Sequence, residues 1–478
     1  MFYKCYFLTS VRIGKSVSVI GNRDFFETGL FSVAIPDSVT NLGNSAFAGC
    51  NSLTNVTIGN GVTCIEDHAF AGTGLSGIMI RNGVTNLGTS VFVDCPSLTE
   101  INVEGQNPFY SSLNGVLFDQ SQITLIEYPG GLIGSYTIPS SVIYIGDNGF
   151  EDCFGLTGVI IIPDSVLNLG NNSFLECIAL TGVLIGNSVT NIGDEAFAKS
   201  NWDYSYSLTN VTFGYSVTTI GADAFAGNCG LTSISFPNSL TSIGYDAFDG
   251  DGLTSVMIPD NVTNLGSDAF SSCENLTNAI ISSGVTSIGS LEFDFCFSLT
   301  SVTFSNNITS IGESAFGSCT NLKSITIPNS VTSLGDGAFY DCYNLTAVYF
   351  LGSPPTNVAE HVFSCYDRAT DSQVYFATAY YLPGTTGWDD FALLAGVPVA
   401  PWLPAMQTTD ASFGIQTNHF GFNINWASGQ TVVVEACANL FSPDWQPMQT
   451  NTLTTGSAYF SDSQWTNYPG RFYRLRSP

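Results

Sequence analysis

The hydrophobic and polar positions of this chain follow one frame that returns at steps of mostly 22 to 24 residues. The frame reads L-x-x-V-x-I, then a turn of Pro-x-Ser or Gly-Asn, then V-T-x-I-G, and finally A-F-x-x-C; residues 322–342 show it without interruption. Its most regular member is a phenylalanine, usually preceded by alanine. The repeat phenylalanines are Phe2, Phe25, Phe47, Phe70, Phe92, Phe150, Phe174, Phe197, Phe225, Phe248, Phe270, Phe293, Phe316, Phe339 and Phe363.

Each copy of the frame predicts two short strands and a corner. In L-x-x-V-x-I, the first, fourth and sixth side chains are expected to point inward, whereas the third and fifth face solvent. A second extended stretch, V-T-x-I, ends at glycine, and A-F-x-x-C turns the chain back. One coil cannot bury its own apolar side, but stacked coils share a core and a parallel sheet. The frame therefore predicts a β-rich repeat solenoid with the phenylalanines stacked inside it.

Two steps between repeat phenylalanines are longer than the others. The step after Phe92 is 58 residues long, and we predict an irregular coil at about 104–138 within it. The step after Phe197 is 28 residues long, because residues 200–207 lengthen one loop and leave the frame intact.

The complete frame, repeated along roughly residues 1–350, resembles the BspA-like leucine-rich repeats of bacterial surface proteins. Residues 107–119 (NPFYSSLNGVLFD) and 123–129 (ITLIEYP) also resemble an irregular coil found within such arrays. The resemblance implies a right-handed leucine-rich-repeat solenoid, export from a bacterial cell, and adhesion to or binding of host or environmental macromolecules. The location that it implies is secreted or on the cell surface.

The frame fades after Phe350. Residues 353–396 are predicted to form a degenerate closing coil, so that the solenoid covers residues 1–396. The next segment, 397–404, is predicted to be a stiff Pro-rich linker. Residues 405–478 alternate polar and apolar side chains between polar turns, which predicts a small antiparallel β-sandwich-like domain.

The charge of the chain excludes two classes of partner. The formal net charge is −28, from 39 acidic and 11 basic residues. Such a surface lacks the clustered Lys and Arg that bind nucleic-acid phosphates, and it disfavours docking on anionic lipid. No run of 18 or more apolar residues is present, so membrane insertion is not expected.

The start of the chain falls inside the frame. Residues 1–5 (MFYKC) align with A-F-x-x-C and lack the features of a signal peptide. Solenoid ends normally carry a polar cap. We therefore expect an export signal and the first coils to lie upstream of Met1.

Candidate chemistry is sparse. Most of the 13 cysteines stand three residues after a repeat phenylalanine, in a ladder whose members are expected to be buried free thiols. Zinc would need paired spacings such as C-x-x-C, which the chain lacks. His68, His361 and His419 assemble no Ser-His-Asp or Cys-His arrangement, and the first two fall in a polar turn. We expect no catalytic, cofactor-binding or metal-binding residues, and no enzyme activity.

An acidic residue recurs just before Ala-Phe. One interpretation is a stripe of carboxylates that binds calcium or a cationic partner; the other is that short polar residues start the turn by accepting backbone N–H bonds. Calcium-binding loops have denser acid spacing, such as D-x-D-x-D-G, which favours the second interpretation. The recurring acids are Asp194, Glu195, Asp223, Asp246, Asp268, Glu313 and Asp336.

Two functions fit these features. In the first, the protein is non-catalytic and extracellular, and its solenoid surface binds a protein or glycan partner. The outward positions are mostly Thr, Ser and Asn, interrupted by larger side chains that are suited to anchor a partner. These predicted partner-binding residues, all at the fifth position of the first strand, are Met79, Leu184, Met257, Ile280 and Tyr349. In the alternative, the protein is a structural surface protein that self-assembles through the solenoid ends or the C-terminal module.

Overall fold

The computed structural model describes residues 2–199, 208–417, 419–440, 443–468 and 470–478, and the insert predicted at 200–207 lies outside these residues. The L-x-x-V-x-I segments supply a first column of parallel strands, in which apolar side chains point inward and polar ones outward. The strands of the first column are Ser32–Ala34, Asn55–Thr57, Gly77–Ile80, Glu100–Val103, Gly158–Ile161, Leu180–Leu184, Asn210–Thr212, Ser255–Ile258, Asn278–Ile281, Ser301–Phe304, Ser324–Ile327, Ala347–Phe350, Thr378–Tyr381 and Val399–Pro401.

The V-T-x-I segments supply a second column of two-residue strands. Each segment ends at the frame glycine. The residue there is glycine because a side chain would collide with the preceding coil: a Cβ on Gly312 would lie 2.7 Å from the carbonyl carbon of Gly289. The strands of the second column are Val19–Ile20, Asn41–Leu42, Cys64–Ile65, Asn86–Leu87, Tyr144–Ile145, Asn168–Leu169, Asn191–Ile192, Thr219–Ile220, Ser242–Ile243, Asn264–Leu265, Ser287–Ile288, Ser310–Ile311, Ser333–Leu334 and Asn357–Val358.

The repeat phenylalanines form a ladder of stacked rings inside the coils. The ring centroids of Phe316 and Phe339 are 5.4 Å apart, and the ring planes differ by 6°. Phe225, Phe248 and Phe270 continue the ladder at the same spacing of 5.4 Å. All five rings are fully buried. The prediction of a solenoid with stacked internal phenylalanines is therefore confirmed.

The long step in the ladder is filled by a tyrosine. The irregular coil contains the antiparallel strands Tyr110–Leu113, Val116–Asp119 and Thr124–Glu127, and the last of these pairs with the second column at Tyr144–Ile145. Tyr128 follows directly, and its ring centroid lies 5.0 Å from that of the next repeat phenylalanine. Tyrosine thus takes the phenylalanine position at the end of the irregular coil and begins the next run of stacked rings, which the sequence analysis missed.

The corner around most repeat phenylalanines holds two residues in the left-handed conformation, one two positions before the ring and one two positions after it. Around Phe248 these are Asp246, with a φ of 51°, and Gly250, with a φ of 68°. Glycine and short polar residues tolerate this conformation best. His68 and His361 occupy the first of these positions, each with a φ of 56°. The backbone therefore selects the polar residues that precede Ala-Phe.

The frame cysteines form a second ladder. Each buried thiol in it donates to the carbonyl oxygen of the ring residue in the preceding coil, as Cys296 Sγ does to Phe270 O at 3.3 Å. Where cysteine is absent from this position, Asn228 donates from Nδ2 to Phe197 O at 3.0 Å. The position thus favours a small buried side chain that donates a hydrogen bond to this carbonyl group, whose oxygen can accept two.

The last coils depart from the frame. The strands Ser364–Asp367 and Ser372–Tyr375 form a hairpin, and the helix Trp388–Ala395 follows. The segment predicted as a Pro-rich linker, 397–404, contributes the strand Val399–Pro401, which pairs in parallel with Thr378–Tyr381 and ends the first column.

The residues beyond 404 form two antiparallel sheets, which agrees with the predicted C-terminal β domain. The first sheet contains Ala405–Met406, Gly414–Gln416, His419–Asn425 and Ser457–Asp462; the second contains Thr431–Cys437, Gln446–Thr452 and Phe472–Arg476. A short 3-10 helix spans Trp465–Asn467. The module packs against the last coils, because Trp426 Nε1 donates to Trp402 O at 2.8 Å and Leu382 belongs to the core of the module.

Candidate functional site

The side chains at the third and fifth positions of the L-x-x-V-x-I segments form one side of the solenoid, here called the outward face. Most of its members are exposed residues with a hydroxyl or carboxamide group, which offer hydrogen bonds and no charge. They include Asn55, Thr57, Asn210, Thr212, Ser233, Ser235, Ser301, Thr303, Ser324 and Thr326.

The five predicted partner-binding residues lie on this face but differ in exposure. Met79 and Leu184 are exposed and lie in separate coils. Met257 is the most exposed, at 60%. Ile280 and Tyr349 are half-buried. The structure therefore does not gather the five residues into one continuous patch.

Tyr349 is engaged in packing at the end of the solenoid. Its ring centroid lies 5.2 Å from that of Tyr380 on the next strand and 4.5 Å from that of Trp402. Trp402 comes from the segment predicted as a linker and covers the tyrosine. The ring of Tyr349 thus contributes to the closure of the last coils.

Met257 and Ile280 are neighbours, because they face each other in register on adjacent strands of the first column. Met257 also borders a cleft of about 530 Å³. Ile234, Phe236 and Pro259 form the rest of its apolar lining. The cleft thus combines four apolar residues with polar ones, in a face that is otherwise made of small polar side chains.

The cleft opens at a coil that lacks a first-column strand. Residues 232–236 lie between Asn210–Thr212 and Ser255–Ile258, yet within the described ranges they join neither strand in a sheet. Ile234 and Phe236 occupy positions that point inward in the frame, but both are only half-buried. The Phe236 ring is larger than the usual isoleucine and packs edge-on against the phenylalanine ladder.

The rim of the cleft carries one acid, Asp260. Its Oδ1 atom accepts the N–H of Ser283 at 3.0 Å and the hydroxyl of the same residue at 2.7 Å. These hydrogen bonds hold the pKa of the Asp260 carboxyl below its usual range, so the group is ionised at neutral pH. The other polar residues of the lining are neutral: Ser235, Asn238, Asn261 and Ser282.

A second apolar pair on the outward face was missed by the sequence analysis. The register between the strand Gly158–Ile161 and the next strand shifts between Gly158 and Val159, and the segment before Ile162 has one residue more than the frame. The additional residue leaves Val159 and Ile161 49% and 59% exposed. The available signal was the segment L-T-G-V-I-I-I-P, which is one residue longer than the frame.

The acids that recur before Ala-Phe serve the backbone in two ways. Asp194 Oδ1 accepts the N–H of Ala222 in the next coil at 2.8 Å. Asp223, Asp246 and Asp268 instead take the left-handed position, and burial raises the pKa of Asp246 to about 6. Both arrangements support the turn interpretation. Among the residues that the structure describes, no group of three or more His, Cys, Asp or Glu side chains is placed to hold a metal ion.

Comparison with known proteins identifies the family. The sequence profile of the BspA type leucine rich repeat region, with six copies, matches residues 1–124, 128–251, 202–302 and 286–373. The chain belongs to the BspA-type leucine-rich repeat family. Proteins with such repeats are generally scaffolds for protein interaction or adhesion and are typically non-catalytic.

Solved structures similar to this BspA-type chain include a leucine rich cell surface protein from Faecalibacterium prausnitzii, with 26% identity over 64% of this chain and 75% of that one and a TM-score of 0.40. A leucine-rich repeat protein from Bacteroides ovatus is 24% identical over 82% of this chain and 83% of that one, with a TM-score of 0.44. The pneumococcal vaccine antigen PcpA is 18% identical over 80% and 71%, with a TM-score of 0.35. A search of curated proteins finds no match.

Within the described part of this BspA-type chain, the helices are too short or too polar to cross a membrane.

Proposed function

We propose that this BspA-type protein is a non-catalytic extracellular binding protein that holds a partner on the outward face of its solenoid. The observation that carries the proposal is the cleft beside Met257 and Ile280. A recess that combines apolar residues with a few polar groups is the usual place for the anchoring side chain of a protein partner. The flexible thioether of Met257 suits such a surface, because it adapts to the shape of what it contacts.

A protein fits the cleft better than a glycan does. Asp260 is the charged group on its rim, and the whole chain carries a net charge of −28. A polypeptide can present an apolar side chain next to a lysine or arginine, and it thereby matches both the recess and the charge. We place the protein outside the cell, secreted or on the cell surface, because the BspA-type frame is that of bacterial surface proteins.

The test begins with the full chain on an array of purified extracellular proteins and glycans, followed by affinity measurements on the protein that binds. Met257→Asp is expected to weaken that binding by about tenfold or more, because it places a charge beside the recess. Thr303→Asp is the matched control: it adds the same charge at the same strand position, one strand beyond Ile280. The control is expected to change the affinity by less than about twofold. Equal losses of affinity in the two variants would show that the partner does not bind at the cleft.

The alternative function, structural self-assembly, is tested with the same purified chain. At the C-terminal end of the solenoid, Val399–Pro401 closes the first column, and the next residue, Trp402, is joined to Trp426 of the module. This contact leaves less open sheet edge for end-to-end stacking. Sedimentation velocity over a wide concentration range is expected to show no ordered growth. Fibres that form through the coil ends would replace the binding proposal with the structural one.

A further inference from the structure

The second column is interrupted twice, each time before a coil with glutamate where the frame has alanine. This alanine slot directly precedes the ring residue; Glu127 occupies it before Tyr128, and Glu292 before Phe293. In the coils that flank the second interruption, the slot holds Ala269 and Ala315. The pairing of the second column stops after Asn86–Leu87 and after Asn264–Leu265, and it resumes at Thr124–Glu127 and at Ser287–Ile288.

Glu292 lies wholly inside the wall of the solenoid. Its side chain is fully buried, and neither carboxylate oxygen has a hydrogen-bond partner. Its Oε2 atom is 3.0 Å from the point where a Cβ on Gly289 would stand. One coil later, Gly312 N–H donates to Ile288 O at 3.0 Å, whereas within the described structure Gly289 makes no equivalent bond to its preceding coil. The glutamate side chain thus separates two coils at the second column.

The strand before this interruption is less buried than its neighbour. Leu265 is half-buried, although Ile243 at the same position of the preceding strand is fully buried. This difference is expected if the Glu292 side chain holds the coils apart.

The other acids in the alanine slot accept hydrogen bonds from backbone N–H groups. In the first coil, Asp24 Oδ2 accepts the N–H of Gly21 at 2.9 Å. At the first interruption, Glu127 Oε1 accepts the N–H of Phe92 at 2.8 Å. Glu292 has no such bond. The second interruption is therefore the one that contains an uncompensated carboxyl group.

The first column remains intact on the opposite side of the same two coils. Ser255–Ile258 pairs with Asn278–Ile281 at all four positions. The same coils are also joined at the corner, where the N–H groups of Asp268, Phe270 and Ser272 donate to the carbonyl oxygens of the next coil. The junction is therefore paired at the first column and at the corner and unpaired at the second column, so a hinge about the first column opens by breaking the three corner bonds. The first column carries Met257 and Ile280.

We propose that the junction between the coils of Phe270 and Phe293 is a pH-sensitive hinge, which is closed while Glu292 is protonated and opens at the second column when Glu292 ionises. A buried carboxylate without a hydrogen bond or a cation is far less stable than a buried neutral carboxyl. Opening the second column admits water to the carboxylate. The pairing of the first column holds the two coils together while it does so.

The groups that face Glu292 offer no positive charge. The preceding coil contributes Asp268, and the coil of Glu292 itself contributes Asp294 and Cys296. The next coil places its acid, Glu313, in solvent. Burial, with a smaller contribution from Asp268, raises the pKa of Glu292 well above its usual range. The closed hinge thus holds the proton more tightly than the open one does, so rising pH favours opening.

Hinge opening would change the angle between the strands that carry Met257 and Ile280, next to the cleft. The pH would then regulate partner binding on the outward face. This consequence rests on the proposed function, whereas the hinge itself does not.

The test is hydrogen–deuterium exchange on the full chain at pH 6 and pH 9, corrected for the intrinsic exchange rate at each pH. In peptides that cover 262–268 and 285–291, the wild-type chain is expected to exchange about tenfold faster at pH 9 than at pH 6. Peptides that cover 239–245, in the uninterrupted part of the second column, are expected to change by less than about twofold.

Three variants decide whether Glu292 is responsible. Glu292→Gln keeps the size of the side chain without its ionisation, and it is expected to abolish the acceleration at pH 9. Glu292→Ala restores the frame residue and is expected to slow exchange at both pH values. Glu313→Ala removes the exposed acid of the next coil and is expected to behave as the wild type does. A wild-type chain without acceleration, or a Glu292→Gln variant that accelerates equally, overturns the hinge. Because exchange needs no partner, its outcome is independent of the binding test on Met257→Asp.

Discussion

At the scale of the single residue, the backbone conformation at the corners of the coils determines which residue types occur there more than side-chain chemistry does. Two positions after the ring, most coils carry glycine or a polar residue, but one carries Phe295 with a φ of 56°. A bulky side chain in this left-handed conformation costs about 1–2 kcal/mol relative to glycine. Its ring is 46% exposed, so it recovers little of that cost by burial.

Phe295→Gly is expected to raise the free energy of unfolding by roughly 1 kcal/mol, because glycine adopts this conformation without strain. Urea unfolding followed by circular dichroism measures the change. The control is Phe297→Gly, which removes a ring of similar exposure, 36%, from a backbone without a positive φ. That variant is expected to lose stability by roughly 1 kcal/mol. A loss in both variants would show that the ring of Phe295 contributes more than its backbone costs.

The thiol ladder has a consequence for reactivity. Burial raises the pKa of Cys95 to about 11 and that of Cys365 to about 12, so that few buried thiolates exist at pH 8. A thiol reagent such as Ellman's reagent is expected to modify the exposed Cys5 first in the folded protein. Under denaturing, non-reducing conditions all 13 cysteines are expected to react. A shortfall that maps to Cys296, Cys319 and Cys342 would contradict the ladder of free thiols.

At the scale of the coil, the irregular element buries a titratable group. Burial raises the pKa of Glu127 to about 8 from 4.5, and the nearby Glu151 adds to the shift. The folded state therefore binds this proton more tightly than the unfolded chain does. The stability that it contributes is complete below about pH 4.5 and is lost progressively as the pH rises through about 8.

Glu127→Gln is expected to flatten this dependence. Between pH 5 and pH 9 the wild-type Tm should fall by several degrees more than the Tm of the variant. Glu104→Gln is a control of opposite sign, because the hydrogen bonds from Asn82 and Arg81 lower the pKa of Glu104. Any decrease in Tm caused by Glu104→Gln should be greatest at neutral pH and should become smaller at acidic pH. Parallel pH profiles for the wild type and Glu127→Gln would show that Glu127 does not titrate in the folded state.

Much of the coil was predictable from sequence, because the frame repeats its inward positions so often. The exceptions have local causes. The role of Tyr128 was not predicted, because its ring takes the place of phenylalanine in a coil without the usual corner. The exposure of Ile161 was not predicted, because a single additional residue changes which side chains face outward. The cover over Tyr349 depends on Trp402, whose contact with it joins the last coil to residues far along the chain, and no short-range pattern encodes such a contact.

At the scale of the whole molecule, the C-terminal module and the end of the solenoid share a core. Leu382 of the closing coil is buried with Phe422 and Trp426, and Trp402 packs against the same cluster. The boundary between the predicted domains at 404/405 is therefore crossed by apolar contacts. The limits assigned to the domains remain predictions.

A chain that ends at residue 404 is expected to loosen at its closing coil, because Trp402 and Leu382 lose their apolar cover. Protease cleavage within 353–396 should accelerate, and tryptophan emission should move to longer wavelength. Residues 255–350 are expected to stay protected, since each coil of a solenoid depends mainly on its neighbours. An unchanged cleavage pattern would show that the closing coil is stable without the module.

The similar spacing of neighbouring rings in the regular coils also bears on how such a protein changes over generations. The rings of Phe293 and Phe316 are 5.3 Å apart, and those of Phe316 and Phe339 are 5.4 Å apart. Every regular coil offers its successor the same hydrogen bonds that it receives from its predecessor. A gene that gains or loses one full frame therefore still encodes a closed stack, longer or shorter by about 5 Å. The length of the solenoid therefore changes in steps of one coil, and the distance between two patches on its outward face depends on the number of coils between them.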